Sequence, residues 1–223
     1  MNMKLFWSAI GKFTLGVLLA GALVFVPAGT LEYRKGWLFM GILFVPMFLA
    51  GIVMMVKSPE LLRKRLSAKE KQGDQSLVIK LSGLMFVVGF ILAGLSHRFG
   101  WLPMPDWVSY TAAVVFLAAY LMYAEVLREN SYLSRTIEVQ EGQKVIDTGL
   151  YGIVRHPMYS ATVLLFLAMP LVLGSIISFF VFLLYPILIA FRIKGEEKLL
   201  EAELPGYSEY KKKVKYHLLP FVW

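Results

Sequence analysis

The chain has 223 residues, of which 58% are hydrophobic, and a positive mean hydropathy. Several of its apolar runs can cross roughly 30 Å of hydrocarbon, which excludes an ordinary soluble domain and predicts an all-α, polytopic transmembrane helical bundle. The absence of cysteine excludes disulfides, Cys-ligated zinc, iron–sulfur clusters and a thiol nucleophile. The net charge of +8 sits on Lys and Arg gathered between apolar spans, so it reads as a membrane-orientation signal and not as a nucleic-acid footprint.

A first span is predicted over Ala9–Val26. It follows the basic Lys4, but Phe25-Val26-Pro27 lacks a small-residue cleavage pattern, so the segment reads as retained. After the polar turn Glu32-Tyr33-Arg34-Lys35, a second span covers Trp37–Val56. The stretch from Lys57 to Gln75 carries Lys57, Arg63, Lys64, Arg65, Lys69 and Lys71 against Glu60, Glu70 and Asp74, which marks a cytoplasmic loop. A third span, Leu77–Leu95, leads into a short, aromatic, nearly uncharged connection from His97 to Pro105, and a fourth span covers Trp107–Val126.

Arg128 to His156 is a long polar connection with little helical pattern, and such a connection is usually functional or disordered. Its Gly142, Gly149 and Gly152 favour tight turns. From Tyr159 to Phe191 the chain is again apolar; as one helix this run would be about 50 Å long and would overshoot the bilayer, so it predicts a hairpin. The break falls at Leu173-Gly174-Ser175, giving two rather short arms. Six crossings then put both termini and every strongly basic loop in the cytoplasm, where the tail forms a further helix. The expected division is 1–127, four transmembrane helices, and 128–223, comprising the loop, the hairpin and the C-terminal helix.

The densest polar cluster is Tyr151-Gly-Ile-Val-Arg155-His156-Pro157-Met158-Tyr159, set against the start of that hairpin. Arg and His at the mouth of a span are costly unless they bind something, so the cluster reads as a ligand site. The residue before a proline avoids the α region and Pro suits the first helical position, so His156 should stand at a helix start, where free N–H groups favour an anion. A satisfied interfacial histidine, with Tyr151 and Tyr159 as belt aromatics, is the plain alternative. Further on, Arg192 and Glu196 are four apart and would share a helix face, which alone suits an ordinary ion pair. The run Lys211–Lys213 reads as a patch for anionic headgroups. His97, His156 and His217 are scattered without metal-ligand spacing, so no metal is expected; no Gly-x-Gly-x-x-Gly turn is present.

The order Gln143 to Gly149, Tyr151, Arg155-His156-Pro157-Met158-Tyr159, apolar hairpin, Arg192-x-x-x-Glu196-Glu197, Tyr207-x-x-Tyr210 and Leu219-Pro220 resembles the isoprenylcysteine carboxyl methyltransferase family from Asn130 onward. Shorter versions of the motif occur in membrane phospholipid methyltransferases and, more loosely, in sterol reductases. The resemblance implies an integral membrane enzyme with S-adenosyl-L-methionine as cofactor. It places Gln143, Lys144, Val145, Ile146 and Tyr151 around the adenosine and methionine parts, and His156, Pro157, Met158 and Tyr159 near the sulfonium. Glu196 would contact the cofactor and Arg192 the acceptor carboxylate, while Gln140 lies where the alignment is poor. Pro205-Gly206 departs from the acidic residues that the family usually carries before the tyrosine.

The implied partners are a lipophilic acceptor drawn from the bilayer and the membrane lipids themselves, with no nucleic acid and no metal. The implied location is the inner membrane of a prokaryotic cell, with the site cytoplasmic. Methylation of a lipid amine, which would need a base such as Glu197, and a reductase using NADPH stay open as alternatives.

Overall fold

A computed structural model of the chain describes residues 3–66, 73–133 and 138–223. Lys69, Glu70 and Lys71 of the basic loop lie outside these residues, as do 134–137 of the long connection. Among the described residues the elements are helices α1 (Met3–Ala28), α2 (Arg34–Lys57), α3 (Pro59–Leu66), α4 (Gly73–Phe99), α5 (Asp106–Glu129), α6 (Pro157–Val172), α7 (Ile176–Phe182), α8 (Leu184–Glu203) and α9 (Tyr207–Lys213), with a single 3-10 turn at Gly149–Gly152. Five segments are long and apolar enough to cross a membrane: α1, α2, Ser76–Phe99 of α4, α5 and the stretch Ile176–Glu203. The protein is an integral membrane helical bundle.

The hairpin breaks where glycine and proline indicate. Gly174 adopts φ +74°, and a Cβ there would also stand 2.8 Å from the Lys35 side chain, so only glycine suits this corner. The two arms, however, are unequal. α6 has 16 residues, about 24 Å, whereas α7 and α8 are separated only by Leu183 in the right-handed helical region and extend through 28 residues, about 42 Å. The second arm is therefore not short: the last span continues as one rod past Phe191, which carries Arg192 and Glu196 beyond the apolar stretch.

α5 packs along α6, α1 along α4, and α4 against α7 and α8. Between them Phe39, Phe90, Phe116 and Phe182 meet ring to ring, within an apolar core that runs from Ala20 to Ile193 and includes Leu218. Large side chains such as Leu18, Val56, Leu121 and Phe180 point outward, as lipid-facing residues do.

One end of the bundle is closed by polar side chains. The buried Tyr33 hydroxyl donates to the Leu173 carbonyl and its ring stacks on His97 at 4.0 Å. Ser175 donates to Ser96 at 2.8 Å, and Lys35 pairs with Asp106 at 2.8 Å. The Tyr33 and Ser175 hydrogen bonds fix the corner of the hairpin to the start of α2 and to α4, and the ion pair ties α2 to α5. The opposite end carries the cluster around His156.

Candidate functional site

The connection after α5 turns back on the helix end at Gly149. Its φ is +51°, a Cβ there would overlap the Glu129 carboxylate, and the same carboxylate accepts from Leu150 N–H at 3.1 Å. This sharp return brings Tyr151 inward. The buried Tyr151 hydroxyl accepts from Asn130 at 3.0 Å, and its carbonyl accepts from the Tyr210 hydroxyl at 2.7 Å. His156 then takes a non-helical conformation, φ −126° and ψ 60°, short of fully extended, and Pro157 occupies the first turn of α6.

Arg155 joins this turn to the C-terminal segment. Its guanidinium donates to Glu197 at 2.7 Å, to the carbonyls of Val214 and Lys215 at 2.8 and 2.9 Å, and meets His217 Nε2 at 2.5 Å. The backbone pairs in the same sense, Arg155 N–H to Tyr216 O and His156 N–H to His217 O, and Ser160 donates to Leu218 O at 2.6 Å. Glu197 also faces His156 Nε2 at 3.0 Å and Lys211 at 3.3 Å. Arg155 and Glu197 are both only 7% exposed, so this is a buried ion pair with its remaining lone pairs and protons met by other partners.

Beside the pair opens a narrow cleft with an internal volume of about 90 Å³. Gln143, Lys144, Val145, Ile146, Tyr151, His156, Met158, Tyr159, Arg192 and Glu196 all line it. Pro157 does not: it is fully buried and fixes the start of α6. Within the cleft, Arg192 Nε donates to the Tyr159 hydroxyl at 3.0 Å, which in turn donates to Glu196 Oε2 at 2.6 Å. Arg192 and Glu196 are thus relayed through a tyrosine, and Arg192 is 9% exposed, unlike a residue of a surface pair. Tyr151 and Tyr159 are buried, so neither is a belt aromatic.

Several readings change. Glu197, considered as a base for amine methylation, is committed to Arg155, His156 and Lys211 and does not line the cleft. Gln140 does not line it either; its amide accepts from Lys64 at 2.5 Å and its backbone N–H donates to Gln143 at 2.9 Å. The lysine run is not simply a headgroup patch, because Lys211 binds Glu201 at 2.6 Å and Lys213 binds Asp147 at 2.7 Å, leaving Lys212 outermost.

Tyr207 was missed as a site residue. It lines the cleft and is 4% exposed, and its hydroxyl has no hydrogen-bond partner among the described residues. Its signal in the sequence was the spacing Tyr207-x-x-Tyr210, whose two rings pack 5.7 Å apart.

Residues 110–202 match the model of the isoprenylcysteine carboxyl methyltransferase (ICMT) family. The match covers α5, the loop, the hairpin and most of α8, so the resemblance read from the sequence holds over this segment. The chain is also 30% identical over 91 residues to the Delta(14)-sterol reductase of Mus musculus, an alignment spanning 40% of this chain and 22% of that protein.

Proposed function

We propose that the protein is a membrane methyltransferase that uses S-adenosyl-L-methionine to methylate a carboxylate of a lipophilic, isoprenylcysteine-like acceptor taken from the bilayer. The observation that carries this reading is the hydrogen-bonded line Arg192–Tyr159–Glu196 on the wall of a cleft that the 138–146 loop closes. The residues fit such a cofactor. The cleft's buried Tyr207 hydroxyl, which has no partner among the described residues, is a donor of the kind a ligand satisfies.

Gln143, Lys144, Val145, Ile146 and Tyr151 would hold the adenosine and amino-acid parts, and His156, Met158, Tyr159 and Glu196 the sulfonium side. When bound, the cofactor supplies an electrophilic methyl group on a positively charged sulfur. An acceptor carboxylate is already ionised near neutral pH, so the chain needs no general base. Its task is alignment and exclusion of water. Arg192, oriented by its bond to Tyr159, would face the acceptor carboxylate with its guanidinium, and the Glu196 carboxylate favours a cation nearby.

In this reading residues 1–127 are the membrane scaffold and 128–223 carry the chemistry. The site end faces the cytoplasm in this reading, because Lys4, Lys12, Lys57 and Arg63–Arg65 gather there while the connection from His97 to Pro105 is nearly uncharged.

The similarity to a sterol reductase favours one second reading, a membrane reductase using NADPH. Calorimetric titration of the detergent-purified protein separates the two. S-adenosylhomocysteine should bind and NADPH should not; His156→Ala and Glu196→Ala should weaken that binding markedly, whereas Arg192→Ala should spare it and abolish turnover. Binding of NADPH without S-adenosylhomocysteine would replace the methyltransferase by the reductase, and three variants that bind like the parent would remove the site assignment.

A further inference from the structure

The family match begins at residue 110, yet the loop that closes the cleft is held by a helix far upstream of it. α3 is a single basic stretch, Pro59–Leu66, whose residues divide by face. Leu62 is buried at 4% exposure, and Arg63 points outward, 3.4 Å from Glu60. Lys64 and Arg65, both half-buried, turn toward the site.

Lys64 donates to the Gln140 side-chain oxygen at 2.5 Å. Gln140 passes the contact on in two directions: its backbone N–H donates to Gln143 at 2.9 Å, and its side-chain amide donates to the Tyr132 carbonyl. Gln143 and Tyr132 are both walls of the cleft. Arg65 bonds the Tyr123 hydroxyl, lies over the Tyr123 ring at 5.5 Å and comes within 3.9 Å of the Met158 sulfur, a third wall residue. The end of α3 is in turn tied to α1, where Lys12 donates to Leu66 O at 2.7 Å.

We propose that α3 is a positioning element of the methyl-donor cleft, with Lys64 setting the Gln140–Gln143 loop and Arg65 setting Met158. The inference rests on the methyltransferase reading above. The physical reason is pre-organisation. Residues 138–148 have no helix or strand of their own, and a loop ordered only when its ligand arrives costs affinity for every residue it immobilises. A charge-assisted hydrogen bond from Lys64 orders that wall in advance. Arg65 contacts Met158, at the start of α6, in the same way. The basic face of α3 thereby does more than orient the chain in the membrane: it lets α1 and α2 determine how the loop sits.

The test is a double-mutant cycle on S-adenosylhomocysteine affinity in the detergent-purified full chain, with the melting midpoint recorded for every variant. Lys64→Ala and Gln140→Ala should each weaken binding about tenfold at an unchanged midpoint. The double variant should be no weaker than either single one, and Lys64→Arg should recover most of the loss. Arg63→Ala serves as the outward-facing control and should bind like the parent. Additive losses, parental affinity in Lys64→Ala, or a loss that follows a falling midpoint would each overturn the positioning role. A parent chain that fails to bind S-adenosylhomocysteine overturns the methyltransferase reading itself, and this inference with it, whereas a parent that binds while the cycle shows no coupling overturns α3 alone.

Discussion

At the closed end of the bundle, Tyr33, Ser96, Ser175 and Lys35 bond to groups on neighbouring helices and seal the space between them. At the other end Arg155 and Glu197 are just as fully engaged, but Tyr159, Arg192, Glu196 and Tyr207 line an open cleft next to them. The contrast separates two uses of buried polarity in a membrane protein. Groups that bond only to one another hold helices together. Groups that turn part of their hydrogen-bonding capacity toward a cavity prepare it for a ligand, and at this end both kinds sit side by side.

The largest effect should come from breaking the engaged set at the site end. Arg155→Ala leaves Glu197 buried beside His156 and removes two bonds to backbone carbonyls, which should cost about 3–5 kcal/mol of stability. At the closed end, Tyr33→Phe strands only the Leu173 carbonyl and should cost about 1–3 kcal/mol. Thermal melting of the two variants in the same detergent checks the ordering, and a larger drop for Tyr33→Phe would reverse the comparison.

Tyr207→Phe sharpens the difference between holding and preparing. Its hydroxyl bonds nothing among the described residues, so the melting midpoint should be unchanged or slightly raised, while affinity for S-adenosylhomocysteine should fall several-fold. A lowered midpoint with full affinity would make Tyr207 a structural residue.

The smallest effect is one of pH. Partial burial and the neighbouring Arg155 guanidinium pull His217 below its ordinary pKa of 6.5. The unfolded chain therefore binds this proton more readily than the folded one. Stability should be full above pH 6.5 and should decline as pH falls below it, because a protonated His217 faces Arg155. Melting midpoints from pH 7.5 to 5.5 read the slope, and His217→Gln should flatten it.

Much of this was legible in the sequence because it depended on local chain geometry. Gly174 marked the hairpin corner by its need for positive φ, and Pro157 marked the start of α6. The cleft residues Gln143–Ile146, Tyr151, His156, Met158 and Tyr159 were legible through the family resemblance, which also placed Pro157 there. The division of labour between Glu196 and Glu197 was not. Consecutive helical residues point about 100° apart, and which of them meets the cleft depends on where α6 and the C-terminal segment pack. Arg155 was legible as a costly cation at the mouth of a span but not as the anchor of residues 214–217, because those partners lie some sixty positions downstream. The same separation hid Lys64, whose partner Gln140 is 76 residues away.

The short first arm has a consequence for depth. The corner at Leu173–Ser175 is fixed level with Ser96 and Pro103, so the missing length of α6 falls at its other end. Met158 there shares Arg65 with Tyr123, which stands six residues, about 9 Å, inside the end of α5. The floor of the cleft is therefore recessed below the end of α5 and is not level with it. A short helix set between longer ones thus leaves a step at this end of the bundle, and the cleft occupies that step.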